Sequence, residues 1–478
     1  MHTIAAIATP NTAGSIAVIR ISGSNAVSIA ERVFTPLNGK AVRDMQGYTA
    51  AYGHIHDVSA TPDSTGNTAR AVIDDGVLLI FRAPKSYTGE DVAEITCHGG
   101  VYVARRVLQA CLNAGAVTAE PGEFTKRAVL NGKMTLTQAE SVLDVIGSVN
   151  EQFLAFANAQ KSGALYRRID GIAKRILSVS AHISAWLDYP EEGVEDFDAA
   201  AHLQTLTDCR EQLLQLLSGY DIAVTMREGV VTAIVGKPNV GKSTLMNLLT
   251  GRERSIVTDI PGTTRDIVEE TITLGGVTLR LCDCAGLRAD TADTVELIGI
   301  DYMYRAIEQS QLVLAVFDNS RPLNADDYSL IERIGGKNVI CIINKCDLPD
   351  VLDVEDLSAA VGSGAVSVPI VRVCGKGGAN DKLLSESLGK LSAAIEELYA
   401  VRALDLSLGF VANERQRRCA VEAERLLSQA IENVERGVMS DTLGVLLEGV
   451  LGELYALSGE NVSEDIVGEV FRQFCVGK

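Results

Sequence analysis

One stretch, Gly236-Lys237-Pro238-Asn239-Val240-Gly241-Lys242-Ser243, constrains this 478-residue chain more than any other. A strand-like run, Val230 to Val235, precedes it, and residues fit for a helix follow. Strand, glycine-rich turn and helix at this spacing curl the backbone so that successive N–H groups converge on an anion. The helix N-terminus adds a favourable dipole. The pattern predicts a phosphate loop in a mostly parallel sheet covered by helices. Gly236, Val240, Gly241 and Thr244 would line the phosphates with backbone. Lys242 would reach the outer phosphates, and the Ser243 hydroxyl would sit where magnesium is held.

Three further motifs follow in an order that fits the first. Asp283-Cys284-Ala285-Gly286 ends a strand-like run, where an aspartate can hold magnesium through water and the Gly286 N–H can meet a γ-phosphate. Asn344-Lys345-Cys346-Asp347 ends another, and the Asp347 carboxylate can accept from the ring N–H and amino group of guanine. Adenine offers no such pair of donors, so a buried, mispaired Asp347 would penalise ATP. Between the phosphate loop and Asp283, Thr258-Asp259-Ile260-Pro261-Gly262-Thr263-Thr264-Arg265-Asp266 reads as a switch loop whose threonine reaches magnesium only when a γ-phosphate is present. Cys374-Gly375-Lys376 stands where G proteins usually carry Ser-Ala-Lys. Leu287, after Gly286, has no polar group with which to orient water. Together these motifs predict a chain that binds and hydrolyses GTP.

The rest of the chain frames this domain. Residues 1–133 alternate short apolar runs with Gly, Pro, Asn and Asp. Strands are expected at Ile16 to Ile19 and Gly76 to Phe81, and a helix at Ala104 to Ala114, which makes an α+β domain. From Thr135 the apolar period becomes helical, through Leu136, Ala139, Val142 and on to Trp186, and stops at Tyr189-Pro190. The acidic run Glu191 to Asp196 reads as a solvated loop, and a helix is expected from His202 to Leu217. Strands are then expected at Val230 to Val235, Ile267 to Leu274, Val277 to Cys282, Leu312 to Phe317, Val339 to Ile343 and Ile370 to Val373. Helix follows from about Leu391 onward. The expected fold class is multi-domain α/β plus α. Its boundaries are an N-terminal α+β domain at 1–133, an all-α helical domain in two parts at 134–224 and 396–478, and an inserted Ras-like P-loop GTPase domain at 225–395.

Charge and cysteines narrow the functional class. A net charge of −19 argues against a protein that holds nucleic acid on a broad basic surface of its own. The ten cysteines form no Cys-x-x-Cys pair, which suits free thiols in a reducing compartment. No signal peptide or spanning segment is evident, so a cytoplasmic protein is expected.

With its C-terminal Phe471-Arg472-Gln473-Phe474-Cys475-Val476-Gly477-Lys478, the chain resembles the MnmE (TrmE) family of tRNA-modification GTPases. Ile19-Arg20-Ile21-Ser22-Gly23, Ser86-Tyr87-Thr88-Gly89-Glu90-Asp91, His98-Gly99-Gly100 and Pro121-Gly122-Glu123-Phe124-Thr125-Lys126-Arg127-Ala128 match as well. The resemblance spans nearly the whole chain. It implies a homodimer formed through a folate-binding N-terminal domain, working with an MnmG (GidA)-type FAD protein, as a heterotetramer with it where the two assemble. The pair would add a carboxymethylaminomethyl group at carbon five of the wobble uridine of certain tRNAs. The one-carbon unit would come from 5-formyltetrahydrofolate or a related reduced folate.

The resemblance also implies site residues. Potassium, taking the place of an arginine finger, would be held by Asn239 and Thr263 with the carbonyls of Thr258 and Ile260. Magnesium would be held by Ser243 and Thr264, and water would be positioned by Glu296. Folate would be held by Arg20, Glu94, Lys133 and Lys478. Arg and Lys suit its carboxylates, and Glu can accept from pterin N–H groups. On the residues alone, a structural salt bridge is the better reading of Glu94. Cys475 stands where the family has a cysteine that contributes to the chemistry, with a buried thiol as the alternative. A GTPase switch that binds ribosomal RNA during assembly is the rival class. It would need a basic RNA-binding module, and the C-terminal helices carry no Gly-x-x-Gly loop in a basic setting.

Overall fold

A computed structural model describes residues 2–58, 71–188, 199–252, 268–282, 303–362, 368–373, 381–399, 409–437, 441–460, 470–472, 474 and 477. The chain forms two compact units. Met1–Leu143, Lys161–Asp198 and Arg436–Lys478 make the first, and Asp144–Gln160 with Ala199–Glu435 make the second.

The first unit contains a seven-stranded sheet: β1 (Ile4–Ile7), β2 (Ile16–Ser22), β3 (Phe34–Pro36), β4 (Thr49–His56), β5 (Val72–Phe81), β6 (Val92–His98) and β7 (Val117–Thr118), in the order β3-β4-β5-β6-β2-β1-β7. All pairings are antiparallel except β1 with β7. Alternation along the strands decides which face is dry. Ile19 and Ile21 of β2, Leu78 and Ile80 of β5 and Ile95 of β6 are buried, and helices Ala26–Val33 and Val101–Asn113 join them in one core. Arg20 and Glu94 fall between these positions and stand opposite each other in register on the other face. Farther along, helix Ala164–Asp188 packs on helix Asp441–Ser458. Phe471 and Phe474 join Leu136, Ala139 and Val142 in a smaller core. Gly122 (φ 69°) allows the close approach, since a Cβ there would stand 2.8 Å from the Phe471 carbonyl oxygen.

The second unit is built on a six-stranded sheet: β8 (Val230–Val235), β9 (Val268–Leu274), β10 (Val277–Cys282), β11 (Leu312–Asp318), β12 (Asn338–Asn344) and β13 (Ile370–Arg372), in the order β13-β12-β11-β8-β10-β9. All are parallel except the β9–β10 hairpin. Every residue of the central β11 is buried because apolar side chains cover both faces. Leu245 and Leu249 of helix Lys242–Arg252, with Leu388, Leu391 and Ile395, belong to one layer, and Leu330, Ile331, Ile334 and Leu357 to the other. From β8 the chain goes to β9 and β10 on one side and then to β11 on the other. The end of β8 is therefore the point where strand order reverses, the usual place for a ligand in such sheets.

Observed elements differ from the expected ones mainly in extent. The β2 strand runs to Ser22, β5 begins at Val72, and the helix expected at Ala104 to Ala114 is Val101–Asn113. The helical run expected from Thr135 to Trp186 is three helices, Leu136–Ile146, Glu151–Lys161 and Ala164–Asp188, with Gly147 and Gly163 among the residues at the breaks. Among the described residues no helix is long and apolar enough to cross a membrane, and the cysteines, Cys97 and Cys111 among them, form no disulfide.

Candidate functional site

At the end of β8 the backbone turns through three residues in the left-handed region, Gly236 (φ 153°), Asn239 (φ 63°) and Gly241 (φ 102°). Glycine is needed twice for space as well as for conformation. A Cβ at Gly236 would lie 2.5 Å from the Val316 carbonyl oxygen, and one at Gly241 would collide with the Asn344 amide. Helix Lys242–Arg252 starts immediately, with Ser243 and Thr244 exposed in its first turn. The Lys242 ammonium folds over the loop and donates to the carbonyls of Gly236 and Lys237, both at 2.8 Å. Those carbonyls hold the cation at the mouth of the curl.

The Asn344–Asp347 motif is tied to this loop by a buried bond. Asn344 Nδ2 at the end of β12 donates to the Val240 carbonyl at 2.8 Å. Beyond it Lys345 also adopts the left-handed region (φ 63°), and Asp347 is exposed at the surface, where a ligand can reach it. The Lys345 ammonium lies 2.7 Å from Asp318 Oδ2 at the end of β11. Burial pushes the Asp318 carboxyl up. The Lys345 ammonium and the Ser320 hydroxyl and N–H more than offset this and hold it at about 2. Next to it, the buried Asn319 takes the Asn344 carbonyl on its own N–H (3.0 Å). Its own carbonyl accepts the N–H groups of Val351 and Leu352. Adjacent strand ends thus hold the base motif at several points.

Some of these contacts have no signature in the sequence. Asp318 and Asn319 lie in an ordinary-looking strand end, and no motif flags them. Lys237, a variable position within the phosphate loop, forms an ion pair with Asp327 and donates to Asn324. These two residues are the capping box of helix Ala325–Ile334, so the loop is clamped to a helix start. Only a long-range pairing of charges could have suggested it.

In the first unit the structure brings together Arg20, Glu94 and the tail segment. Arg20 Nε lies 2.7 Å from Glu94 Oε1, and Arg20 Nη1 donates to the Gly477 carbonyl at 3.2 Å. The guanidinium carbon sits 5.7 Å from the ring centroids of both Tyr87 and Phe124. The salt bridge read for Glu94 from residues alone is therefore present. Both partners keep about a fifth of their side chains exposed, at 18% and 20%, so a ligand can compete for them. Lys133 is exposed and donates to the Pro84 carbonyl at 3.0 Å. Beneath the 86–91 loop, the nearly buried Arg127 bonds both oxygens of Glu90 (3.2 and 3.1 Å) and Glu123 (2.7 Å). Tyr87 itself is fixed by its hydroxyl, 2.8 Å from the Thr125 hydroxyl oxygen.

Thr258, Ile260, Thr263, Thr264, Asp283, Gly286, Leu287, Glu296, Cys374 to Lys376, Cys475 and Lys478 lie outside the described residues.

Comparison with known proteins shows the family. Residues 3–133 match the family model for the GTP-binding protein TrmE N-terminus, and residues 136–475 match that for the MnmE helical domain. The tRNA modification GTPase MnmE of Thermoanaerobacter pseudethanolicus is 37% identical over 481 residues, covering 100% of this chain and 99% of that protein. The tRNA modification GTPases MnmE of Geobacillus thermodenitrificans (38% over 478 residues, 100% and 99% covered) and Bacillus subtilis (36% over 481 residues, 100% of both) are similar throughout as well.

Proposed function

Because the chain belongs to the MnmE family of tRNA modification GTPases, and is a GTP hydrolase of tRNA modification, we propose that its hydrolysis is potassium-stimulated and drives a folate-dependent step. Working with an MnmG (GidA)-type flavoprotein in the cytoplasm, it adds a carboxymethylaminomethyl group at carbon five of the tRNA wobble uridine. Family membership favours this over the ribosome-assembly class. The proposed domains are a folate-binding and dimerising segment at 1–133, a helical domain at 134–224 and 396–478, and the G domain at 225–395.

The observation that carries the GTP part is the bond from the Asn344 amide to the Val240 carbonyl, which joins a base-reading motif to a phosphate-reading loop. In this reading the backbone from Gly236 to Thr244 cradles the phosphates, and Asp347 accepts from guanine. Lys242 exchanges its two loop carbonyls for outer phosphate oxygens, as charge-assisted bonds favour. Asn344 and Lys345 set the guanine platform, Asp283 would hold magnesium through water, and the Gly286 N–H would meet the γ-phosphate. Glu296 positions the attacking water, since Leu287 cannot.

The donor set suits two cations. Ser243, exposed at the helix start, would hold magnesium with Thr264. Asn239, fixed in the left-handed region, would hold potassium with Thr258, Ile260 and Thr263. Bound there, the two ions supply positive charge beside the transferring phosphoryl group.

For folate, Arg20, Glu94, Lys133 and Lys478 are the proposed contacts, with Cys475 contributing near the tail. The donor set fits: a guanidinium and a carboxylate beside two aromatic rings offer charge and flat surfaces to a pterin and its acidic tail. Bound there, the folate supplies the one-carbon unit.

The test is GTP hydrolysis in potassium against sodium at equal ionic strength, with ATP as the control nucleotide. Strong stimulation by potassium and no ATP hydrolysis are expected. Equal rates in the two salts would remove the potassium reading. Nucleoside analysis of tRNA from cells lacking the chain tests the modification itself, with loss of the carbon-five substituent expected.

A further inference from the structure

A cavity of about 560 Å³ in the first unit is walled by segments 129–138, 162–167 and 458–460. That volume is typical of sites for small molecules. Among the described residues its walls carry two cations, Lys133 and Arg167, one carboxylate, Glu460, and the neutral groups of Thr135, Gln138 and Tyr166. In a chain with a net charge of −19, cations have many carboxylates to choose from. Among the described residues neither of these two is ion-paired. Lys133 donates to the Pro84 carbonyl at 3.0 Å and Arg167 to the Ser162 carbonyl at 2.7 Å. Glu460, by contrast, accepts from the Tyr166 hydroxyl at 2.9 Å.

The cavity touches the proposed folate residues through Lys133. The Lys133 stem runs along the 86–90 loop, its Cγ 3.3 Å from where a Cβ on Gly89 would stand. The same loop carries Tyr87, whose ring faces the Arg20 guanidinium. One lysine therefore borders both the Arg20–Glu94 cluster and the cavity.

We infer that this cavity takes the γ-linked glutamate chain of a polyglutamylated folate. The inference rests on the folate reading above and extends it to the form of the cofactor. Each glutamate added to the chain brings one carboxylate and one amide N–H. Lys133 and Arg167 match the carboxylates, and Glu460 matches an amide N–H, so both signs of charge in the cavity have a use. An RNA backbone offers a negative charge at every phosphate and no N–H donor there, so Glu460 would repel it.

The experiment is calorimetric titration of the full chain with 5-formyltetrahydrofolate as the monoglutamate and as the triglutamate. The wild type is expected to bind the triglutamate about tenfold more tightly, as one or two charge-assisted contacts allow. Arg167→Gln should leave monoglutamate binding unchanged and remove most of the advantage, and Arg167→Lys should keep most of it. Equal binding of the two forms by the wild type overturns the inference and leaves the folate reading standing. An advantage that survives Arg167→Gln, or a variant that weakens both forms equally, also overturns it. If Arg167→Gln weakens binding of tRNA and not of the triglutamate, the cavity is a phosphate site and the inference fails. No binding of either form removes the folate reading and the inference together.

Discussion

The two candidate sites are made of different material. In the second unit the phosphate loop is a backbone object, three left-handed residues and a helix start, with the side chains of Asn344, Lys242 and Lys237 serving to fix the main chain. In the first unit the Arg20–Glu94 cluster is a side-chain object, standing on two regular strands whose backbone does nothing unusual. A backbone site is intolerant of any added atom but indifferent to most side-chain exchanges around it. A side-chain site is the reverse. The difference teaches where each function is fragile.

The largest effect should come from adding a single methyl group to the loop. Gly241→Ala must adopt φ 102° against the Asn344 amide, and GTP kcat/KM should fall by more than about 100-fold while circular dichroism stays native. A near-normal rate would mean that the loop is not backbone-limited, and the comparison would fail. Asp347→Ala should lower kcat/KM for GTP by about 50-fold and leave ATP unhydrolysed, because one pair of base contacts is lost. Arg20→Gln should weaken folate binding by about 20-fold, seen by calorimetry, with GTP hydrolysis unchanged. A matching fall in hydrolysis would show that the two sites are not separate objects.

Smaller effects sharpen the picture. Asp318→Asn removes the partner of Lys345 and should raise KM for GTP about fivefold with kcat nearly constant, in steady-state assays. The same pair gives a pH signature. The folded Asp318 carboxyl sits at about 2, below its ordinary 3.8, so its contribution to stability is complete above the ordinary value and is lost as pH falls toward the folded one. The gap in urea midpoint between wild type and Asp318→Asn should therefore be constant above about pH 5 and close as pH drops below about 4. A gap that closes on the alkaline side would contradict the assignment.

What the sequence displayed follows the same division. Strands β8, β10, β11, β12 and β13 were visible because a sheet covered on both faces leaves runs such as Leu312 to Phe317 apolar throughout. The phosphate loop was visible because left-handed backbone demands glycine at fixed spacing. In the first unit β1, β3, β4, β6 and β7 escaped notice. β4 carries Gly53, His54 and His56 on a half-exposed strand, and β7 has two residues. Gly53 is there because Phe34 and the Thr35 carbonyl of the neighbouring strand leave no room for a Cβ, a reason that exists only in three dimensions. Likewise nothing local distinguishes Asp318 or Asp327 from any surface acid. Their roles depend on Lys345 and Lys237 arriving from distant segments.

The bond between Arg20 and the Gly477 carbonyl spans 457 positions. At translation rates of 5–20 residues per second, roughly 20–90 s separate the emergence of its two ends from the ribosome. Through that interval β2 has left the exit tunnel while the segment that completes its surroundings has yet to be made, and the whole second unit is synthesised in between. The nascent first unit must wait with Leu136, Ala139 and Val142 uncovered until Phe471 and Phe474 arrive, apolar surface of the kind that a holding chaperone shields.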